Sequence, residues 1–253
     1  MIDIHSHVLA GLDDGSPSLE ESLRMVRVAA ETGITDLVAT PHANLQYRFD
    51  PEAVEQKLAE LAEACGGTVR LHCGCDFHFY FDNIRDALAH PAKYTINHKN
   101  YLLVELSDLL IAKTTDEVFA RMLDAGMVPI LTHPERNFLL HRRLDQIQSW
   151  AGQGCLVQVT AQSLLGRFGP QARSMCGELL KRGLVHFVAS DSHDSQDRPP
   201  RLDLAYEHVA KRYGSAAAER LFLTNPRAAL DGEPLPEARE PEPPAPRKWY
   251  QFW

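Results

Sequence analysis

Apolar and polar positions follow two periods along this chain, and they alternate in blocks. Residues 2–7, "IDIHSH", alternate at every second position, the period of a β-strand, so His5 and His7 face one side together. "SLEESLRMVRVAAETG" switches to helical spacing, with Leu19, Leu23, Val26 and Ala30 on one stripe, a capping box of Ser18 and Glu21 at its start and Gly33 at its end. "TDLVATPH" returns to a strand that ends at His42. "DPEAVEQKLAELAEACGG" is a second helix, with a proline near its start and glycines at its end. The runs 69–77, 100–106, 127–135, 155–161 and 185–193 are further strands, and helical patterns lie near 114–125, 139–151, 170–182 and 201–213. This rhythm predicts an α/β fold of parallel strands with helices outside, as a closed barrel or an open doubly wound sheet.

From about residue 232 the pattern stops. "GEPLPEAREPEPPAPRKWYQFW" holds six of the sixteen prolines, which predicts a catalytic unit over 1–231 and an extended tail over 232–253. The tail's aromatic end, "KWYQFW", suits either docking on the domain surface or a short motif for a partner protein. Charge narrows the partners: 26 Lys and Arg against 34 Asp and Glu give a net −8, which argues against a nucleic-acid surface. No run approaches the roughly 20 apolar residues of a membrane span, and no leader pattern opens the chain. Five cysteines, an odd number without a CxxC pair, read as reduced thiols. A cytoplasmic protein is expected, with its oligomeric state left open.

The chemistry sits at the strand ends. His5, His7, His42, Asp76, Glu105, His133, Asp191 and His193 are metal-capable residues at or near the ends of six proposed strands, and Asp14 lies in the first loop. In a barrel, strand C-termini converge on one face, where active sites are built. Nitrogen and carboxylate donors without thiolates suit Mn²⁺, Fe or Zn²⁺. Asp3, on the strand with His5 and His7, is expected to orient an imidazole, and Glu135 to support the site in a similar way.

The HxH start with "TPH", "GCD", "VEL", "THPERN" and "SDSH" resembles the PHP (polymerase and histidinol phosphatase) superfamily, from Met1 to about Asn225. "MIDIHSHVLAGLDDGSPSLEES" followed by "HPERN" and "SDSHDSQDRPP" is closer to its CpsB/YwqE-type bacterial tyrosine-protein phosphatases, which control capsular and exopolysaccharide export. The resemblance implies a distorted (β/α)₇ barrel holding three divalent ions, Mn²⁺ for preference. It assigns His5, His7, Asp76 and Asp191 to one ion. Asp76 would bridge to a second, held also by Glu105 and His133, and Asp14, His42 and His193 would hold the third. The family commonly has a glutamate where this chain has Asp76.

It implies hydrolysis of phosphotyrosine by a metal-bridging hydroxide, on the tail of a tyrosine kinase that regulates polysaccharide export. Arg136 and Arg198 lie just past proposed ligands and match arginines of the family. Their guanidinium forks suit phosphate oxygens, so they are the catalytic candidates. Two other readings stand beside this one: a phosphoesterase of a small monoester such as histidinol phosphate, and a regulatory binding protein that uses the aromatic tail. Cys176 and Arg182 match the Cys-x₅-Arg spacing of cysteine-dependent phosphatases, but on a helical stretch rather than in a phosphate-cradling loop.

Overall fold

A computed structural model describes residues 1–236. Its strands are β1 (Ile2–Ser6), β2 (Asp36–Ala39), β3 (His42–Ala43), β4 (Arg70–Cys73), β5 (Asp76–His78), β6 (Tyr101–Glu105), β7 (Val128–Thr132), β8 (Leu156–Thr160) and β9 (Phe187–Ala189). All pair in parallel, in the orders β1-β2-β4 and β3-β5-β6-β7-β8-β9.

The split into two sheets is local. β2 and β3 form one barrel stave interrupted at Thr40-Pro41, and β4 and β5 form the next, interrupted at Gly74-Cys75. Pro41 has no amide hydrogen to give to a ladder. The pairing nonetheless passes through the break, with the Thr40 amide donating to Ser6 O at 2.8 Å and the Asp76 amide to Pro41 O at 3.2 Å. Gly74 eases the close approach there, since a Cβ would lie 3.0 Å from Val38 Cγ1 and 3.2 Å from Thr40 Cγ2 and push those side chains aside. Seven staves result. The last meets the first through the Ser6–Ser192 bridge, the His7 amide donating to Ser192 O and the Asp191 amide to His5 O. The fold is the closed alternative, a distorted (β/α)₇ barrel, and not an open sheet.

Around it run α1 (Leu19–Glu31), α2 (Pro51–Cys65), α3 (Phe81–Ala89), α4 (Thr115–Asp124), α5 (Leu144–Gly152), α6 (Ala161–Leu164), α7 (Gly169–Lys181), α8 (Asp203–Tyr213), α9 (Ser215–Glu219) and α10 (Asn225–Asp231). One large core joins strand residues such as Leu37, Leu102, Val104, Leu131 and Val157 to Met25, Phe119 and Trp150 of the helices. A smaller one, with Ile2, Ile4, Tyr101, Ile130 and Leu230, lies toward the strands' N-terminal ends. There Asn97, Lys99 and Tyr101 donate to the carbonyls of Leu230, Asp231 and Glu233, which seats the end of α10 on the barrel.

Several helices depart from the pattern read in sequence. α5 begins at Leu144 rather than near 139, because Asn137 accepts from the Leu139 amide and donates to Leu106 O and Ser107 O, tying the segment into a turn. α3 carries no signal at its start: Tyr80 precedes it without a side-chain cap. Ser18 caps α1 as expected, but Glu21 leaves the capping box and accepts from the Ser195 amide at 2.7 Å, fastening a loop beside the barrel mouth. Leu235 packs against the smaller core. Residues 237–253 of the proposed tail, with "KWYQFW", lie outside the described residues. Among those described, no helix is long and apolar enough to cross a membrane.

Candidate metal centre

The nine candidate ligands meet at the C-terminal mouth of the barrel, in four overlapping groups of donor atoms. These are His7, Asp14, His42 and His193; His5, His7 and Asp76; His5, His133 and Asp191; and His42, Asp76 and Glu105. The strands explain the grouping. His42 and Asp76 are register partners on β3 and β5, so Asp76 Oδ2 lies 3.1 Å from His42 Nδ1. His78 and Glu105 are partners on β5 and β6, 3.3 Å apart. The Asp14, His42 and His193 set expected from the family resemblance recurs here with His7 added. The second set differs: His42 joins Asp76 and Glu105, whereas His133 groups with His5 and Asp191.

Three of the imidazoles are aimed by a neighbour. His7 Nδ1 lies 2.7 Å from Asp13 Oδ2, which also accepts from the His42 amide at 3.0 Å. His5 Nδ1 lies 3.0 Å from Gln158 Oε1, an acceptor only, so Nδ1 donates and Nε2 faces Asp76 and Asp191 at 3.6 Å. His193 Nδ1 lies 3.1 Å from the Asp191 carbonyl, which frees its Nε2 toward Asp14 at 3.7 Å. His133 and Asp191 adopt φ of 31° and 52°, left-handed values that cost a non-glycine residue about 1–3 kcal/mol each.

The field is strongly negative. Burial opposes charge on His7 and His42, yet Asp13 raises His7 to about 9, and the nearby carboxylates of Asp14, Asp76 and Glu105 raise His42 to about 11. Asp191 is held well below its usual range: burial opposes this, but His5, His7, His133 and Arg136 outweigh it. By contrast, burial helped by Arg136 lowers His133 to about 4, and burial helped by His7 lowers His193 to about 3, so both imidazoles keep free lone pairs at neutral pH. Both oxygens of Asp76 and Nδ1 of His42 are buried without a hydrogen-bond partner. A carboxylate kept ionised with nothing donating to it fits a cation, and the N/O donor set fits a divalent one. The residues present therefore fit the implied metals.

Arg136 and Arg198 both reach Asp191. Arg136 Nη1 pairs with Oδ2, and Arg198 Nη2 donates to Oδ2 at 2.7 Å and to the main-chain oxygen at 2.9 Å. Two supporting residues act otherwise than expected. Asp3 meets no imidazole: its Oδ1 accepts from the amides of Ser190 and His5, so it ties β1 to the last stave. Glu135 is wholly buried and accepts from the Thr160 amide at 2.9 Å, locking the β7 and β8 ends together. Sequence reasoning missed Gln158, although a single amide in the apolar run "CLVQVTA" was a visible signal. Cys176 is fully buried on α7, and burial pushes its thiol far up, so it is no nucleophile.

A family model described as "Capsular polysaccharide synthesis, CpsB/CapC" matches residues 1–231. The chain belongs to the CpsB/CapC family. It is 32% identical to the putative tyrosine-protein phosphatase CapC of Staphylococcus aureus over 99% of each chain. It is 31% identical to the tyrosine-protein phosphatase YwqE of Bacillus subtilis (strain 168), over 85% of this chain and 86% of that one. Among solved structures it matches one from work on YwqE of B. subtilis and CpsB of Streptococcus pneumoniae, described as unique metal-dependent tyrosine phosphatases. That match has a TM-score of 0.87 and 28% identity, covering 93% of this chain and 96% of the other. In this CpsB/CapC chain the shorter Asp76 still lies within 3.6 Å of both His5 and His42.

Proposed function

We propose that the chain is a metal-dependent protein-tyrosine phosphatase whose centre is built by His5, His7, Asp14, His42, Asp76, Glu105, His133, Asp191 and His193. The observation that carries this is the pair of unpartnered oxygens on buried Asp76, amid converging imidazoles. The relatives' names carry the choice of phosphotyrosine. Divalent ions, in this reading three Mn²⁺, supply charge that neutralises phosphate oxygens and makes hydroxide available from water near neutral pH. The chain's own part is to hold and orient. Asp13 and Gln158 aim His7 and His5 inward. Arg136 and Arg198 present guanidinium forks at the rim, with N–H groups beyond those on Asp191 to take phosphate oxygens. The phenolate of tyrosine, with a pKa of about 10, leaves with little help from an acid.

The substrate in this reading is the phosphotyrosine-bearing tail of a kinase that regulates capsular or exopolysaccharide export, and the place of action is the cytoplasm. The five free cysteines agree with a reducing compartment. In this reading residues 1–231 are the catalytic unit.

The test is hydrolysis of a phosphotyrosyl peptide with Mn²⁺, against the same protein with chelator. Activity should need the metal, survive Cys176→Ser and collapse in His42→Ala. Activity that ignores chelator and dies with Cys176 overturns the proposal. Hydrolysis of histidinol phosphate but not of the peptide moves the substrate to the small-ester class.

A further inference from the structure

Arg136 and Arg198 come from the loops after β7 and β9, and between them lies the loop after β8. That loop carries Phe168. The Arg136 Cζ sits 4.5 Å from the Phe168 ring centroid, and the Arg198 Cζ sits 5.8 Å from it. Two guanidiniums that converge on the single oxygen Oδ2 of Asp191 repel each other. The negative face of an aromatic ring offsets this, and it does so without offering a hydrogen-bond acceptor that would occupy the N–H groups.

The surrounding loop is built to hold the ring still. Gly166 and Gly169 both take φ of +89°, a value other residues rarely adopt, and they bracket Arg167 and Phe168 in a tight turn. Arg167 pairs with Asp197 at 3.3 Å, and Gln162 donates to the Asp197 carbonyl at 3.2 Å. Asp194 in turn accepts from the Gln196, Asp197 and Arg198 amides. The ring and the Arg198 loop are thus fastened to one another.

We infer that Phe168 is a positioning residue, a half-buried ring that holds Arg136 and Arg198 in register for phosphate. This rests on the reading of those arginines as phosphate-binding. The ring's cation–π contacts are with these two arginines, so its removal should act through them.

The experiment compares Phe168→Leu, which keeps apolar bulk, with Phe168→Tyr, which keeps the ring, in the Mn²⁺-loaded full chain. kcat/KM is measured on a phosphotyrosyl peptide, and affinity for inorganic phosphate by calorimetry. Phe168→Leu should lose about 3- to 10-fold in both, the scale of a part-exposed cation–π contact, and Phe168→Tyr should stay within about twofold of the parent. Metal content and melting temperature should not move. In an Arg136→Ala/Arg198→Ala background the Phe168→Leu loss should vanish, because the partners it acts through are gone. A Phe168→Leu protein equal to the parent in both readouts overturns the inference, as does a loss of the same size in the arginine-free background. Should the parent hydrolyse no phosphotyrosyl peptide, the proposed function fails on its own, and phosphate affinity still decides the role of Phe168.

Discussion

Asp36 and Asp76 stand at opposite ends of adjacent barrel staves, and both are fully buried. Asp36, at the N-terminal end, takes five donor atoms: Arg70 Nε and Nη2, His72 Nε2, Thr35 Oγ1 and Arg227 Nη2, all within 3.1 Å. Asp76, at the C-terminal end, takes no hydrogen bond on either oxygen. The two carboxylates have the same chemistry and the same burial, and the chain treats them in opposite ways. Where a buried charge serves the fold, the sequence supplies cations and hydroxyls until the oxygens are satisfied. Where it serves a ligand, the sequence supplies imidazoles with their lone pairs aimed inward and leaves the oxygens open. Positive charge is wanted at both ends, but at the mouth it is to come from outside the chain.

The sharpest break between the two would come from removing each charge in turn. Asp76→Asn should cut phosphotyrosine hydrolysis by on the order of 10²–10³-fold, the scale of a lost electrostatic stabiliser in a site. It should also abolish most of the rise in melting temperature that Mn²⁺ gives the parent, because stabilisation by a ligand follows its affinity. Calorimetric scans with and without Mn²⁺ read this directly, and a variant with the parent's metal response would remove Asp76 from the ligand set. A smaller effect is expected one step back from the metals. Gln158→Ala leaves His5 Nδ1 without its acceptor, so the ring is free to turn. Metal affinity, followed by competition with a chelator, should fall about 10- to 100-fold. An unchanged affinity would mean that packing alone orients His5.

How much of this was legible in sequence follows the same division. All the ligand types but Asp14, which lies in the first loop, were visible because each sits at or near the end of a strand whose period identifies it, as with "IDIHSH" and "TDLVATPH". Which imidazole faces which carboxylate was not, because that depends on register between strands distant in sequence. His42 and Asp76 are register partners because the register that sets Ala39 opposite Cys73 carries unchanged through the breaks in both staves. The Asp36 cluster escaped notice for the same reason: Asp36, Arg70 and Arg227 are brought together by β2–β4 pairing and the return of α10. Asp3 and Glu135 lie close in sequence to ligands yet bond to main-chain amides of other staves, so nearness along the chain misassigned them. Phe168 had no periodic signal at all, since it belongs to a glycine-bracketed turn.

The smallest effect expected concerns pH, and it tests the structural half of the comparison. Burial alone would raise the Asp36 carboxyl, but Arg70, Thr35, His72 and Arg227 together hold it well below its usual range. A folded-state pKa below the unfolded value of about 3.9 means stability that is fully present above that value and lost as pH falls through it toward the folded pKa. Asp36→Asn removes this contribution. At neutral pH the variant should lose about 2–3 kcal/mol, less than a wholly buried pair because Arg70 and Arg227 reach solvent. As the pH is lowered from 5 to 3, the gap between parent and variant should shrink. Urea unfolding at stepped pH in the presence of chelator measures it. The carboxylates of the mouth titrate equally in both proteins, so their contribution cancels in the difference. Activity per folded molecule, assayed with Mn²⁺ at neutral pH, should stay within about twofold of the parent, since Asp36 contacts nothing at the mouth and distant sites act additively. A gap that stays constant with pH would show that Asp36 is held by packing rather than by its charge. A loss of activity in folded Asp36→Asn would couple the two ends of the barrel and undo the division drawn between them.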